Sequence, residues 1–188
     1  MKWNNVKADI RSLTIMEAYG SLAVGDVLSL ISTTKSTPFI YIKDEVKKKV
    51  LEHLNTGKTE LGGLLIGNVI AIGGLNDNII AINITDSVAS VNFESTAVSL
   101  SMSSDVWESA SRLSTPISFV VGWYHSHPNL GAFFSGTDRK TQQDFFNSKY
   151  SVGLVIDPIR NEESCFLGEY SEEIPVEFIK VRDELALV

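Results

Sequence analysis

The chain is poor in cysteine, in histidine and in positive charge. Cys165 is the only cysteine among 188 residues, so no disulfide can form within the chain and a disulfide scaffold is excluded. A reducing, cytoplasmic setting is the expectation. Lys and Arg total 16 against 23 Asp and Glu, a formal net charge of −7. No nucleic-acid partner is expected, because binding phosphates needs a basic patch. The most apolar early stretch, 13–31, contains Glu17 and Asp26, so no membrane span is expected. The first eleven residues carry Lys2, Lys7, Asp9 and Arg11 with no uninterrupted apolar segment behind them, which argues against a secretory leader. There is no internal repeat.

What is present is an ordinary globular composition, 44% hydrophobic and 21% charged. A chain of this size buries about 70% of its unfolded surface and needs no staples. Residues 1–38 read as an arm, with Gly20 and Gly25 breaking any long helix and a polar linker at 32–38. The main domain is expected over 39–188. It opens with a short strand at 39–42. Asp44 then caps a helix whose Val46, Val50 and Leu54 recur at four-residue spacing. Lys47, Lys48 and Lys49 read as its solvated face, and His53 as a surface histidine. An apolar strand at 61–67 contains Gly62 and Gly63, which suggests close approach by a neighbour or a substrate. A turn at 76–78 leads to a strand at 79–84. A helix at 106–113, a strong strand at 117–127 stopped by Pro128, a helix at 136–147 and a strand at 152–156 follow. Short strands at 165–170 and 176–181 end the domain. Helices mixed with several β–β steps place the fold in the α+β (mixed α/β) class.

Two of the three histidines stand together in His125-Ser126-His127-Pro128. Residues i and i+2 of a strand share a face, so both imidazoles can converge on one ion. Asp138 lies in the first turn of the next helix. Two neutral imidazoles and one carboxylate make a three-ligand zinc site with an open fourth position, the arrangement that acidifies a bound water to a pKa of about 7. Glu60 is the candidate to take that water's proton and pass it to a leaving amine. Ser135 is the candidate hydrogen-bond donor to an oxyanion. By itself His-x-His is not specific for a metal. Ser135 and Asp138 also fit a helix-capping pair, which does not exclude ligation.

The whole pattern is more specific than its parts. Glu60, His125-x-His127, seven residues, Ser135, two residues and Asp138 resemble the JAMM signature of MPN-domain metalloproteases. The stretch Gly122-Trp123-Tyr124-His125-Ser126-His127-Pro128, with Leu130-Gly131, Thr141-Gln142-Gln143 and Val155-Ile156-Asp157-Pro158, is similar to the catalytic subunits of the proteasome lid and the signalosome. The resemblance spans 39–182. It implies a curved, mostly antiparallel mixed sheet flanked by helices, like that of cytidine deaminases. It also implies one catalytic Zn2+ held by His125, His127 and Asp138, Glu60 as general base then acid, and Ser135 at the oxyanion. The implied reaction is hydrolysis of the isopeptide bond at the C-terminus of ubiquitin or a ubiquitin-like protein, with a zinc-bound water as nucleophile. The implied partners are such conjugates, and a proteasome-type or MPN-type subunit. A segment at about 88–104, with Val91, Phe93, Val98 and Leu100, is expected as a flap over an extended substrate tail, and Phe133 and Phe134 as its wall or as core. Ala132 stands where proteasome-lid relatives carry cysteine. A second zinc site of the endosomal relatives is not expected, for want of His and Cys. The absence of the long docking helices fits a truncated chain or a compact archaeal-type member. A non-catalytic MPN module that binds ubiquitin-like tails is the alternative. A zinc deaminase would need a Pro-Cys-x-x-Cys pair, which one cysteine cannot supply.

Overall fold

The computed structural model describes residues 9–18, 37–91, 93–95, 100–102 and 104–183, with 93–95 and 100–102 as backbone only. Most of the expected arm, 1–8 and 19–36, lies outside the described residues. A single helical turn, α1 (Ile15–Ala18), comes first. β1 (Phe39–Lys43) leads into α2 (Asp44–Leu54). β2 (Gly62–Gly74) and β3 (Asp77–Ala89) make a long hairpin, and β4 (Phe93–Ser95) and β5 (Leu100–Met102) a short one. Then come α3 (Ser104–Leu113), β6 (Phe119–Ser126), α4 (Gly136–Phe145) and β7 (Val152–Asp157). β8 (Glu162–Leu167), β9 (Glu172–Glu173), a 3-10 turn at Val176–Phe178 and β10 (Ile179–Arg182) complete the order.

Eight strands form one mixed sheet in the order β10-β1-β3-β2-β6-β7-β8-β9. β1 is parallel to β3 and β10, and β6 is parallel to β7; the other neighbours in this sheet are antiparallel. The helices lie on its faces, which is the expected α+β arrangement. One face packs Ile40, Leu65, Val69, Ile82 and Val121 beneath Val46, Val50 and Leu54 of α2. The other packs Leu64, Ile66, Trp123, Val155 and Phe166 beneath Val106 and Ala110 of α3. Each fully buried aliphatic side chain contributes about 1.5–3 kcal/mol relative to exposure.

β6 ends opposite Gly67, so the outer half of β2 has a free edge there. Leu13 takes it: its N–H donates to Val69 O at 2.7 Å, and Ala71 N–H donates to Leu13 O at 3.0 Å. Ala18 is buried with Tyr41, Ile70 and Ala81.

A bulge in β6 sets the location of the chemistry. Leu65 pairs with Gly122 but Ile66 pairs with Val120, leaving Val121 as the extra residue. An extra residue flips the side chains beyond it to the opposite face. Accordingly Phe119 and Val121 face the α2 core, whereas beyond the bulge Tyr124 faces that core and Trp123 the other. Gly122 is required here, because a Cβ would overlap the Val152 carbonyl oxygen.

Several local expectations change. Asp44 is the first helical residue rather than the cap; Lys43 holds the cap position with no side-chain cap bond. Of the lysine run Lys48 and Lys49 are solvated, their side chains 69% and 54% exposed. Lys47, 12% exposed, pairs with Glu163, and Lys49 pairs with Asp86 and Ser87 O. The β2–β3 turn falls at Leu75 and Asn76, and both strands run well beyond the expected lengths. The last two strands shift because Gly168 and Ser171 turn with positive φ and Pro175 starts the 3-10 turn that buries Phe178.

Candidate active site

β6 carries the site. Beyond the bulge, alternation puts Trp123, His125 and His127 on one face. His127 lies one residue past the strand but stays in the ladder, its N–H donating to Ile156 O at 3.0 Å. Loop 128–135 turns the chain back, and α4 starts at Gly136. Ser135 and Asp138 form a capping box: Ser135 Oγ accepts from Asp138 N–H at 3.2 Å, and Ser135 N–H donates to Asp138 Oδ2 at 2.6 Å. The cap aims the carboxylate at the histidines. Asp138 Oδ1 is 3.2 Å from His125 Nε2, and Oδ2 is 3.4 Å from His127 Nε2. The two Nε2 atoms are 3.2 Å apart. All three residues are buried, and their donor atoms lie within 4.8 Å of one another.

Glu60 arrives from the coil before β2. Its Oε1 is 3.9 Å from His127 Nε2, and its side chain is 25% exposed, at the rim of the buried cluster. The structure therefore brings His125, His127, Asp138, Ser135 and Glu60 to one place from three elements. Phe133 and Phe134 divide. Phe134 is core, stacked on Phe166 at 4.1 Å, while Phe133 is 48% exposed with its ring 5.0 Å from that of His127. The expected flap contains the β4–β5 hairpin; Val91 is exposed, Val98 lies outside the described residues, and Phe93 and Leu100 are described as backbone only.

The electrostatics suit a cation. Burial opposes ionisation of Asp138, but hydrogen bonds from His125 and His127, the charge of His125 and a hydrogen bond from Ser135 hold it well below the usual carboxylate range. Burial would lower His127, yet the hydrogen bond and charge of Asp138, with Glu60 behind it, raise it. Two imidazole nitrogens pointing at each other and at a carboxylate match the donor set of a divalent metal.

Three supporting residues were given no role by the sequence reading. Gln142 is buried one helical turn beyond Asp138. It accepts from Trp123 Nε1 at 2.7 Å and donates to Ser151 O at 2.9 Å and Phe146 O at 3.1 Å. Trp123 in turn stacks on His125, with ring centroids 4.5 Å apart and planes 8° apart. The spacing of Asp138 and Gln142, four apart on one helix face, is the signal that could have found it. Asp157 is fully buried and accepts backbone bonds from Asn129, Gly131, Ile159 and Arg160 at 2.8–3.1 Å. Burial opposes its charge, but those bonds pull its pKa down to about 2. It pins the loop between His127 and Ser135, where Asn129 and Gly131 have positive φ. His53 is not a surface histidine. Half-buried, its Nδ1 lies 2.9 Å from Tyr124 Oη; burial lowers its pKa and raises that of the phenol. No periodicity pairs those two, because the contact spans two elements.

A cleft of about 640 Å³ at the opposite end of the sheet, lined by Phe39, Ile79, Leu167 and Tyr170 among others, includes none of these residues. Among the described residues no helix is long and apolar enough to cross a membrane.

Comparison with known proteins agrees with this geometry. The ubiquitin carboxyl-terminal hydrolase RPN11 of Saccharomyces cerevisiae is 32% identical over 135 residues, covering 68% of this chain and 40% of that protein. COP9 signalosome complex subunit 5 of Caenorhabditis elegans is 33% identical over 108 residues, covering 55% of this chain and 28% of its own. The chain thus spans less than half the length of these curated relatives. The solution structure of protein DSY2949 from Desulfitobacterium hafniense, at 20% identity, shares the fold with a TM-score of 0.57 over 78% of this chain and 95% of that one. The sequence model described as JAB1/Mov34/MPN/PAD-1 ubiquitin protease matches residues 36–149, a stretch that contains Glu60 and the whole of His125–Asp138, and the chain belongs to that family.

Proposed function

We propose that this chain is a zinc-dependent isopeptidase that hydrolyses the bond at the C-terminus of ubiquitin or a ubiquitin-like modifier. The observation that carries the reading is the convergence of His125, His127 and Asp138 with the Glu60 carboxylate 3.9 Å from His127. In it, His125, His127 and Asp138 would hold the zinc. A zinc ion so held supplies Lewis acidity and acidifies water toward neutral pH.

The other roles belong to this chain's own groups. Glu60, at the rim, accepts the proton of the attacking water and returns it to the leaving amine. Ser135 Oγ accepts its helix-cap bond from Asp138 N–H, which leaves its own hydroxyl hydrogen to donate to the carbonyl oxygen as charge develops. Phe133 walls the approach beside His127. The substrate tail lies extended, with the segment that holds the β4–β5 hairpin as its cover. The relative named as a signalosome complex subunit suggests that a partner subunit of that kind presents the conjugate. The setting is cytoplasmic, where a lone buried thiol such as Cys165 stays reduced.

The test is cleavage of ubiquitin and ubiquitin-like conjugates by zinc-loaded protein, beside Glu60→Gln. Wild-type turnover is expected, reduced in the variant by about 100- to 10,000-fold. Equal turnover by both would remove Glu60 from the mechanism. No turnover by either, with zinc bound, would instead favour a module that binds ubiquitin-like tails.

A further inference from the structure

Ser126 lies between the two histidines and takes no part in the metal cluster. Alternation turns its side chain to the opposite face of β6, where it is fully buried. Its hydroxyl completes the strand ladder. Gly62 and His125 form the last registered pair of β2 and β6. One step further out, Ser126 N–H donates to Leu61 O at 2.9 Å, as an antiparallel ladder requires. The return bond is different: Leu61 N–H donates to Ser126 Oγ at 3.1 Å. A side chain thus serves as acceptor at the point where the chain leaves the sheet.

The next residue out is Glu60. Residues 55–61 are turn and coil, so no regular element orients the Glu60 backbone. Resting on the proposed role of Glu60, we infer that Ser126 is a positioning residue: its hydroxyl anchors the Leu61 amide and thereby holds the Glu60 carboxylate against the cluster that His125, His127 and Asp138 form on the opposite face. The residue between the histidines then links the two halves of the site, with the ligands on one side of the strand and the anchor of the base on the other. An alanine there leaves every ligand atom in place and frees the base.

The test uses the full chain with Ser126→Ala, Ser126→Thr, Glu60→Gln and the Glu60→Gln/Ser126→Ala double variant. Ser126→Ala is expected to bind zinc at wild-type stoichiometry. Its kcat should fall about 10- to 100-fold with KM little changed, the scale of loss for a small misplacement of a catalytic group. Ser126→Thr, which keeps the hydroxyl, should recover most of it. The double variant should be no slower than Glu60→Gln alone, because Ser126 acts through Glu60.

A readout independent of turnover comes from cobalt-loaded protein labelled with carbon-13 at the glutamate carboxylates. The Glu60 signal, identified by its loss in Glu60→Gln, is expected to carry a large paramagnetic shift in the wild type and a smaller one in Ser126→Ala. An unchanged shift, an unchanged kcat, loss of zinc in parallel with kcat, or losses that multiply in the double variant would each overturn the inference. If the wild type cleaves no conjugate, the proposed reaction fails and the cobalt shift alone decides the place of Ser126.

Discussion

Past Gly122, β6 presents two faces that differ in what satisfies them. On one, Trp123, His125 and His127 look toward α4, and the nitrogens of His125 and His127 crowd a carboxylate. On the other, Tyr124 Oη meets His53 and Ser126 meets Leu61 in neutral hydrogen bonds. Crowded lone pairs and a buried carboxylate are costly without a cation, whereas the second face is satisfied within the protein. On the proposed reading the first face holds a metal and the second aligns the site. Damage to the first should cost metal binding with the fold retained. Damage to the second should cost stability or geometry with metal binding retained.

The largest expected effect is on the ligand face. Asp138→Asn keeps an oxygen for Ser135 N–H but removes the charge, so zinc affinity should fall by more than about 100-fold, since even second-layer partners of a ligand are worth about 10–100-fold. Calorimetric titration measures it, and thermal unfolding of the metal-free variant should stay close to wild type. Wild-type affinity in this variant would remove Asp138 from the ligand set.

Next is the support behind that face. Gln142→Leu leaves the Trp123 indole N–H without its partner, at about 1–3 kcal/mol for that buried group, while the Ser151 carbonyl keeps its bond from Gly168 N–H. Urea unfolding should show the loss, and zinc binding should weaken less than in Asp138→Asn. A smaller effect should appear in acid. Asp157 has a folded-state pKa of about 2, below the unfolded value of about 4. Its stabilisation is therefore complete above about pH 4 and disappears as pH falls through about 2. Asp157→Asn should flatten that part of the Tm–pH curve of the metal-free protein; an unaltered curve would show that the loop is held otherwise. The smallest effect belongs to the second face. Tyr124→Phe removes one neutral hydrogen bond and should cost about 1 kcal/mol, with zinc affinity unchanged. A large loss of zinc would erase the distinction between the faces.

Much of the fold was legible in the sequence because its elements carry local signals. Val46, Val50 and Leu54 mark one helix face and are buried as such. Pro128 stops β6. Gly63 marks a close approach, and the nearest neighbour proves to be the Val88 carbonyl oxygen, which a Cβ would overlap, with the Tyr124 ring next at 2.8 Å. What failed was cross-element information. Lys47 reads as solvated in the sequence, but the fold brings Glu163 beside it and leaves its side chain 12% exposed. His53 read as a surface residue until Tyr124 was placed against it. The same limit applies at the site, where Gln142 and Asp157 act on residues that are distant in the chain.

The sequence by itself determined which groups are available: two imidazoles two residues apart, a carboxylate in the first turn of the next helix, and one glutamate before a glycine-bearing strand. Residue types and spacing are local properties, and they were sufficient to single out these groups as candidates; their roles as ligands and base are those proposed above. Only the tertiary structure decided which face of β6 those imidazoles occupy. Val121 is an extra residue only in relation to the pairing of Leu65 and Ile66, and a period-2 pattern read along one strand cannot reveal a bulge defined by its partner. Without that bulge His125 and His127 would point into the apolar core beneath α2. With it they meet Asp138.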